Sequence, residues 1–232
     1  SNGLVGSHLV KLLYSKGIKT ICLGRKNIEE SRFNNKIISS ENYINLDMDR
    51  INELPKHIEN LGYKNLKNCV FYNFAWSGFE NLTDGNFEDQ LKNVNYASEA
   101  IKTAKILGCK KFINSGTFEE TNIEYYLNNF FPKKHKQSQI NYSLAKLAVR
   151  DMCKMTAYLQ KIDYIHTRLS IPLDPFLKKG SYVSKTLKKI YDGEIYDEPL
   201  NKQLFDIIFV NEVAEAYYLI GKYGKNKSDY FI

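Results

Sequence analysis

Residues 68–75, NCVFYNFA, form a short apolar and aromatic run, residues 86–108, NFEDQLKNVNYASEAIKTAKILG, carry a helical pattern, and residues 110–115, KKFINS, return to an apolar run. Runs apolar on both sides suit strands buried in a parallel sheet. A helix between two of them is the crossover that a parallel pair requires. The theme extends in both directions. IKTICL (18–23), YINL (43–46) and DYIHTRLS (163–170) read as further strands. VGSHLVKLLYSKG (5–17), DRINELPKHIENLG (49–62) and YSLAKLAVRDMCKMTAYLQ (142–160) read as further helices. Gly17, Gly62 and Gly108 stand where helix C-caps belong. Strands and helices alternating in this way predict an α/β fold built on a doubly wound parallel sheet.

After about residue 172 the rhythm changes. IPLDPF (171–176) breaks the pattern, helix-like VSKTLKKIYDG (183–193) follows, and then come QLFDIIFV (203–210) and NEVAEAYYLIGKYG (211–224). The expected division is the doubly wound domain over 1–171 and, over 172–232, a small C-terminal cap with segments returning to the sheet. The chain opens directly into a helix and ends in DYFI (229–232), which reads as an unfinished strand. The expectation is a chain cut at both ends, without the first strand of the sheet.

With 232 residues, 43 % hydrophobic and 25 % charged, the composition is that of an ordinary globular protein with room for a sizeable core. No run approaches the ~20 apolar residues of a membrane span, and no secretory signal opens the chain. Cys22, Cys69, Cys109 and Cys153 lie far apart, with no metal-ligand spacing, which predicts reduced thiols in a cytoplasmic protein. The formal charge of +7 comes from scattered cations whose one dense cluster is KKHK (133–136). Such charge suits a solvated surface or a small polyanionic ligand. No RNA-binding signature accompanies it, so neither a nucleic-acid nor a membrane partner is expected.

Four motifs carry candidate chemistry. NGLVG (2–6) puts Gly3 and Gly6 at the entrance to a helix, where backbone N–H groups and the helix dipole can hold a pyrophosphate. A plain turn with close helix packing would look the same. At the end of the next strand, CLGRKN (22–27), Arg25 and Lys26 occupy the place where an acidic residue would bind a ribose 2′-OH. Cations there favour a 2′-phosphate, hence NADP over NAD, unless both are simply exposed. Asp47, in NLDMD (45–49), either accepts from an adenine amino group or caps the helix that follows.

In FINSGTF (112–118), Ser115 ends an apolar strand and is trailed by Gly116 and Thr117. Ligands of open α/β sheets sit beyond the carboxyl ends of the strands, so this hydroxyl is either a polarising group or a turn former. Finally, NYSLAK (141–146) places Tyr142 and Lys146 one helical turn apart. A nearby ammonium lowers a phenol's pKa, allowing tyrosine to relay a proton while a nicotinamide carries hydride. In a lysine-rich chain with 17 tyrosines the bare pair is also common by chance.

In this order the motifs resemble the extended short-chain dehydrogenase/reductase family, the NAD(P)-dependent epimerase/dehydratases of nucleotide sugars, over nearly the whole chain. The resemblance implies a Rossmann-like sheet, an NADP (or NAD) cofactor, a nucleotide-sugar substrate and a homodimer formed through the two long helices. It implies Ser115, Tyr142 and Lys146 as catalytic. NGLVGSHLV (2–10) is similar to the second half of the family's glycine turn, so Gly3, Leu4, Val5 and Gly6 would face the cofactor. So would Arg25, Lys26, Asp47 and Met48. VFYNFAWSG (70–78) looks like the family's strand end, placing Phe74, Ala75 and Trp76 along the cofactor, with Asn93 at a usual asparagine position. TRLSIPLDP (167–175) resembles the segment beside the nicotinamide and brings in Leu169 and Ser170. FDIIFVNEVAEAY (205–217) resembles a segment on the substrate side. Trp76, Ser115, Thr117, Tyr142 and Ile171 would meet the substrate.

Several positions depart from the family pattern. Trp76 replaces a small residue and narrows the pocket, and Ile171 stands where many members carry asparagine. Phe205 replaces an arginine, and Glu119-Glu120 replaces a Tyr-Gly pair. SGTF (115–118) resembles most the branch that makes deoxysugars for surface polysaccharides. Dehydratases usually carry Asp-Glu just after the catalytic hydroxyl, whereas Gly116-Thr117 follow Ser115, which favours 4-keto reduction or C4 epimerisation. The alternative is a non-catalytic NADP-binding sensor on the same fold, and an RNA-binding reading leans on charge alone.

Overall fold

The computed structural model describes residues 2–30, 38–39, 41–63, 66–78, 87–129, 140–177, 182–195 and 206–232. The KKHK cluster and Phe205 lie outside these residues. In chain order the elements are α1 (Leu4–Ser15), β1 (Cys22–Gly24), β2 (Tyr43–Asn45), a 3-10 segment (Met48–Glu53), α2 (Leu54–Asn60), β3 (Val70–Asn73), α3 (Phe87–Ile106), β4 (Lys111–Thr117), α4 (Glu119–Asn128), α5 (Ile140–Gln160), β5 (Asp163–Leu169), β6 (Ile171–Leu173), α6 (Tyr182–Asp192), β7 (Ile207–Phe209), α7 (Val210–Tyr223) and β8 (Asp229–Phe231).

A four-stranded, wholly parallel sheet runs in the order β3-β4-β5-β8. Two further parallel pairs are separate from it: β1-β2, which precedes it in sequence, and β6-β7, which falls between β5 and β8. The sheet is covered on both faces, which is why its strands read as apolar runs. On one face Phe112 and Tyr164 pack with Ala97, Ile101 and Ala104 of α3 and with Val149, Cys153 and Ala157 of α5. Ile44 and Leu46, at β2, join the same cluster. On the other face Ile113 and Ile165 pack with Leu9 and Leu13 of α1 and with Val213, Tyr217 and Ile220 of α7. Each fully buried aliphatic or aromatic side chain contributes about 1.5–3 kcal/mol relative to exposure.

Local chemistry sets the ends of the helices. After α1, α2 and α3 the chain turns through Gly17, Gly62 and Gly108, all at positive φ. Ile18, Tyr63 and Cys109 then donate back to Leu13, Ile58 and Ala104. These are Schellman closures, in which only a residue without a Cβ adopts the left-handed turn freely. The first closure also explains why β1 is shorter than the apolar run from residue 18: the Ile18 N–H is already bonded into the end of α1. Below the sheet, buried Lys111 donates from Nζ to the carbonyls of Gly221 (3.0 Å) and Gly224 (2.9 Å), capping α7.

Two features differ from the sequence expectation. IPLDPF does not simply interrupt the fold, because Ile171–Leu173 pairs with Ile207–Phe209. Proline is tolerated there because each of the two strands has a free edge among the described residues. Helix α4 has no counterpart in the sequence reading. Its buried residues are Ile123 and a glutamate, Glu120, so its inward face does not register as an apolar stripe.

Candidate active site

The carboxyl ends of β3, β4 and β5 converge with the first turns of α4 and α5. Tyr142 and Lys146 lie one turn apart on α5. Lys146 is buried, and its Nζ donates to the backbone carbonyl of Ser115 at 3.0 Å. The same ammonium sits 3.9 Å from the centre of the Trp76 ring and 5.8 Å from that of Tyr142. Trp76 meets Tyr142 edge to face, with centroids 5.6 Å apart and planes at 85°. Cation–π contact partly replaces the solvation that burial strips from the lysine.

Trp76 is itself held in place. Its Nε1 donates to Gln90 Oε1 at 2.8 Å, and Gln90 Nε2 donates to the Gly78 carbonyl at 2.9 Å. Asn93 completes the lock, accepting from Ser77 N at 2.7 Å and donating to Ser77 O at 3.1 Å. Asn93 is buried, and its amide is spent on shaping this loop. Two α3 side chains therefore present the indole.

The environment moves both titrating groups. Burial pushes the Tyr142 phenol well above its ordinary value, a hydrogen bond with the Thr117 side chain pulls it back, and the charges of Glu120 and Glu119 push it up again. The phenol is therefore a proton donor at neutral pH. Burial draws the Lys146 ammonium down to about 8, with Glu120 opposing that fall.

The Ser115 and Thr117 side chains have different partners. The hydroxyl bonded to Tyr142 is that of Thr117. The Ser115 hydroxyl instead accepts from Tyr217 Oη of α7 at 2.8 Å, and Tyr217 Oη lies 2.7 Å from Thr167 Oγ1. Ser115 thus contributes its backbone carbonyl to Lys146 while its side chain belongs to the opposite face of the sheet. Nothing local in the sequence distinguishes the two hydroxyls.

The remaining candidates spread along the same edge. Gly3 is the N-cap of α1, with no side-chain cap and no acidic residue in the first turn. A Cβ at Gly3 would meet nothing within 4 Å. Uncapped N–H groups beside open space fit an anionic pyrophosphate. Leu4 and Gly6 are buried against the fold, and Val5 packs with the α1/α7 cluster. Arg25 and Lys26 follow β1 and are exposed, while the Lys26 carbonyl accepts from Tyr43 Oη at 2.5 Å.

Asp47 accepts from the Met48 N–H at 2.6 Å, so its carboxylate caps the 3-10 segment, and Met48 is the first residue of that segment. Phe74 turns toward α7, edge to face with Tyr217 at 4.7 Å, whereas Ala75 is exposed. The Leu169 carbonyl accepts from Phe118 N, Ser170 N donates to the Ile232 carbonyl, and half-buried Ile171 opens β6. Tyr142, Lys146, Trp76 and Thr117 thus form one cluster, while Ser115's hydroxyl, Phe74 and Asn93 serve the surrounding structure. Among the described residues no group of histidine, cysteine, aspartate and glutamate side chains is arranged to hold a metal ion. No helix among them is long and apolar enough to cross a membrane.

The family described as the NAD dependent epimerase/dehydratase family matches residues 1–232. No curated protein matches the chain. Among solved structures, UDP-glucose 4-epimerase from Thermotoga maritima, determined with UDP-glucose, is 16 % identical with a TM-score of 0.72, covering 100 % of this chain and 74 % of its own. UDP-N-acetylglucosamine 4-epimerase from Methanobrevibacter ruminantium M1, in complex with UDP-N-acetylmuramic acid, is 20 % identical with a TM-score of 0.72, covering 100 % and 73 %. UDP-glucose 4-epimerase from Thermus thermophilus, in complex with NAD, is 13 % identical with a TM-score of 0.69, covering 100 % and 75 %. At these identities the likeness is one of fold.

Proposed function

The chain belongs to the NAD dependent epimerase/dehydratase family, and from that premise we propose that it transfers hydride at C4 of a nucleotide sugar, as a 4-keto reductase or C4 epimerase serving deoxysugar synthesis for surface polysaccharides. The observation that carries the reading is the cluster of Tyr142, Lys146 and Thr117 under Trp76. The nicotinamide, when bound, supplies and accepts the hydride. Tyr142, kept protonated by burial, delivers its proton to the C4 oxygen as that oxygen gains charge, and retrieves it in the reverse direction. The Thr117 hydroxyl, bonded to the phenol, orients it toward that oxygen and donates to the phenolate once the proton has moved. Lys146 stabilises the phenolate that each proton transfer leaves behind.

The open N-terminus of α1, with Gly3 at its cap, would hold the pyrophosphate. Arg25 and Lys26 favour NADP over NAD through a 2′-phosphate. Counted from Thr117, the next two residues are Phe118 and Glu119, so the aspartate of the dehydratase pair is missing and dehydration stays disfavoured. Residues 171–177, 182–195 and 206–209 would cover the substrate. Met152, Met155 and Leu159 are 49 %, 57 % and 67 % exposed at helical spacing on α5, which supports a homodimer through the long helices.

The decisive test follows nicotinamide oxidation with a panel of 4-keto nucleotide sugars. Tyr142→Phe should retain cofactor binding and lose turnover by at least about a hundredfold. Thr117→Val should lower turnover more than Ser115→Ala. Undiminished turnover in Tyr142→Phe sinks the proposed role, and the reverse order of the hydroxyl variants returns it to Ser115. Stoichiometric cofactor consumption excludes a non-catalytic sensor.

A further inference from the structure

Beneath the site lies a buried polar pair that the proposed chemistry does not use. Glu120, in the first turn of α4, and His166, in β5, are both 0 % exposed. Glu120 Oε2 lies 2.9 Å from His166 Nε2, and Glu120 Oε1 accepts from the Thr117 N–H at 2.9 Å. The other ring nitrogen, Nδ1, lies 3.2 Å from Tyr164 Oη and 3.4 Å from Asn114 Nδ2. Asn114 Oδ1 already accepts from Asn73 Nδ2 at 2.9 Å, so the Asn114 amide presents donors to the ring. Nδ1 is therefore an acceptor, Nε2 carries the hydrogen, and Glu120 receives two donors as a carboxylate. Gly116 lies against the pair: a Cβ there would overlap Glu120 Oε1 and His166 Nε2. The glycine of SGTF is what allows a buried anion to sit directly under Thr117.

We propose that Glu120 is a positioning residue of this site, its buried carboxylate fixing Thr117 from below and setting a negative charge beneath the cluster of Tyr142 and Lys146. Identifying the site as catalytic rests on the function proposed above. The charge effect on Lys146 does not. Among the described residues Glu120 is the charged group acting on Lys146, and Glu119 joins it in acting on Tyr142. Around Glu120 itself stand His166, Tyr164 and Arg168 of β5. A buried anion favours the charged lysine and opposes the charged phenolate. Removing it lowers the pKa of both groups, so both limbs of a pH–rate profile move toward acid. Loss of a merely structural contact scales the profile down without moving it.

Trp76 is the only tryptophan in the chain, and Lys146 Nζ lies 3.9 Å from its ring centre. Its emission therefore reports the charge on Lys146 without substrate or cofactor. The experiment titrates that emission between pH 6 and pH 10 in wild type, Lys146→Met and Glu120→Gln. In wild type the expected transition lies near pH 8, and Lys146→Met abolishes it. In Glu120→Gln it moves to lower pH by about half a unit or more, and the kcat profile with a turned-over sugar moves the same way on both limbs. If Glu120→Gln folds poorly, the pair Glu120→Met/His166→Leu removes the charge without orphaning a partner. An unmoved midpoint in the folded variant, or a wild type with no Lys146-dependent transition, overturns the proposal. Absence of turnover in wild type overturns the function instead and leaves the emission result to stand alone.

Discussion

Replacing Gly116 by alanine tests the packing on which the site rests. The backbone at Gly116 is not in the left-handed region, so alanine introduces no dihedral strain and the whole effect is steric. The new Cβ would overlap Glu120 Oε1 and His166 Nε2 and lie 2.5 Å from His166 Cε1. Both side chains are fully buried, so neither can swing into solvent. Overpacking alone costs about 1–3 kcal/mol, and breaking a buried charged pair by losing one partner costs about 3–5 kcal/mol. We expect about 3 kcal/mol. For a domain of this size that is roughly a 6–12 °C fall in Tm. Equilibrium urea unfolding and calorimetry measure it, with Gly3→Ala as the control, because a Cβ there meets nothing within 4 Å. His166→Leu in the Gly116→Ala background should recover part of the loss, since the two sites share one contact. A Gly116→Ala protein as stable as the Gly3→Ala control refutes the reasoning.

Two further outcomes follow from other parts of the fold. Arg168, with Arg150, hydrogen-bonds Glu124 and holds its carboxyl down at about 2, against an ordinary 4.5. A depressed carboxylate stabilises the fold above its unfolded value and loses that contribution as pH falls toward 2. Glu124→Gln should therefore flatten the dependence of Tm on pH between 4.5 and 2, and an unchanged slope counts against the ion-pair network. Lys111→Met should lower stability by about 2–3 kcal/mol in urea unfolding, because the carbonyls of Gly221 and Gly224 lose a charged donor. A midpoint at the wild-type value refutes that account.

Much of the frame was legible in the residues. Each buried strand is a short apolar run, each crossover helix has an apolar stripe, and the glycines after α1, α2 and α3 close their helices as turn chemistry dictates. The i,i+4 spacing of Tyr142 and Lys146 is a local geometric fact, so their adjacency survives folding unchanged. Other readings failed for a physical reason. α4 was hidden because its buried face carries Glu120, a charge that looks like surface until its partner, His166, arrives from 46 residues away. Asp47 caps the segment that follows it, one of the two roles its place in NLDMD allowed.

The sequence by itself determined the alternation of strand and helix, hence the parallel sheet, and the helical turn that unites Tyr142 with Lys146. Tertiary structure alone decided which hydroxyl joins them. Ser115 and Thr117 are two residues apart on one strand, where simple alternation would set them on the same face. Yet Tyr217, 102 residues downstream, engages Ser115, and Thr117 turns to Tyr142. That choice rests on hydrogen bonds between elements remote in sequence, whose partners are neighbours only after the helices have packed on both faces of the sheet.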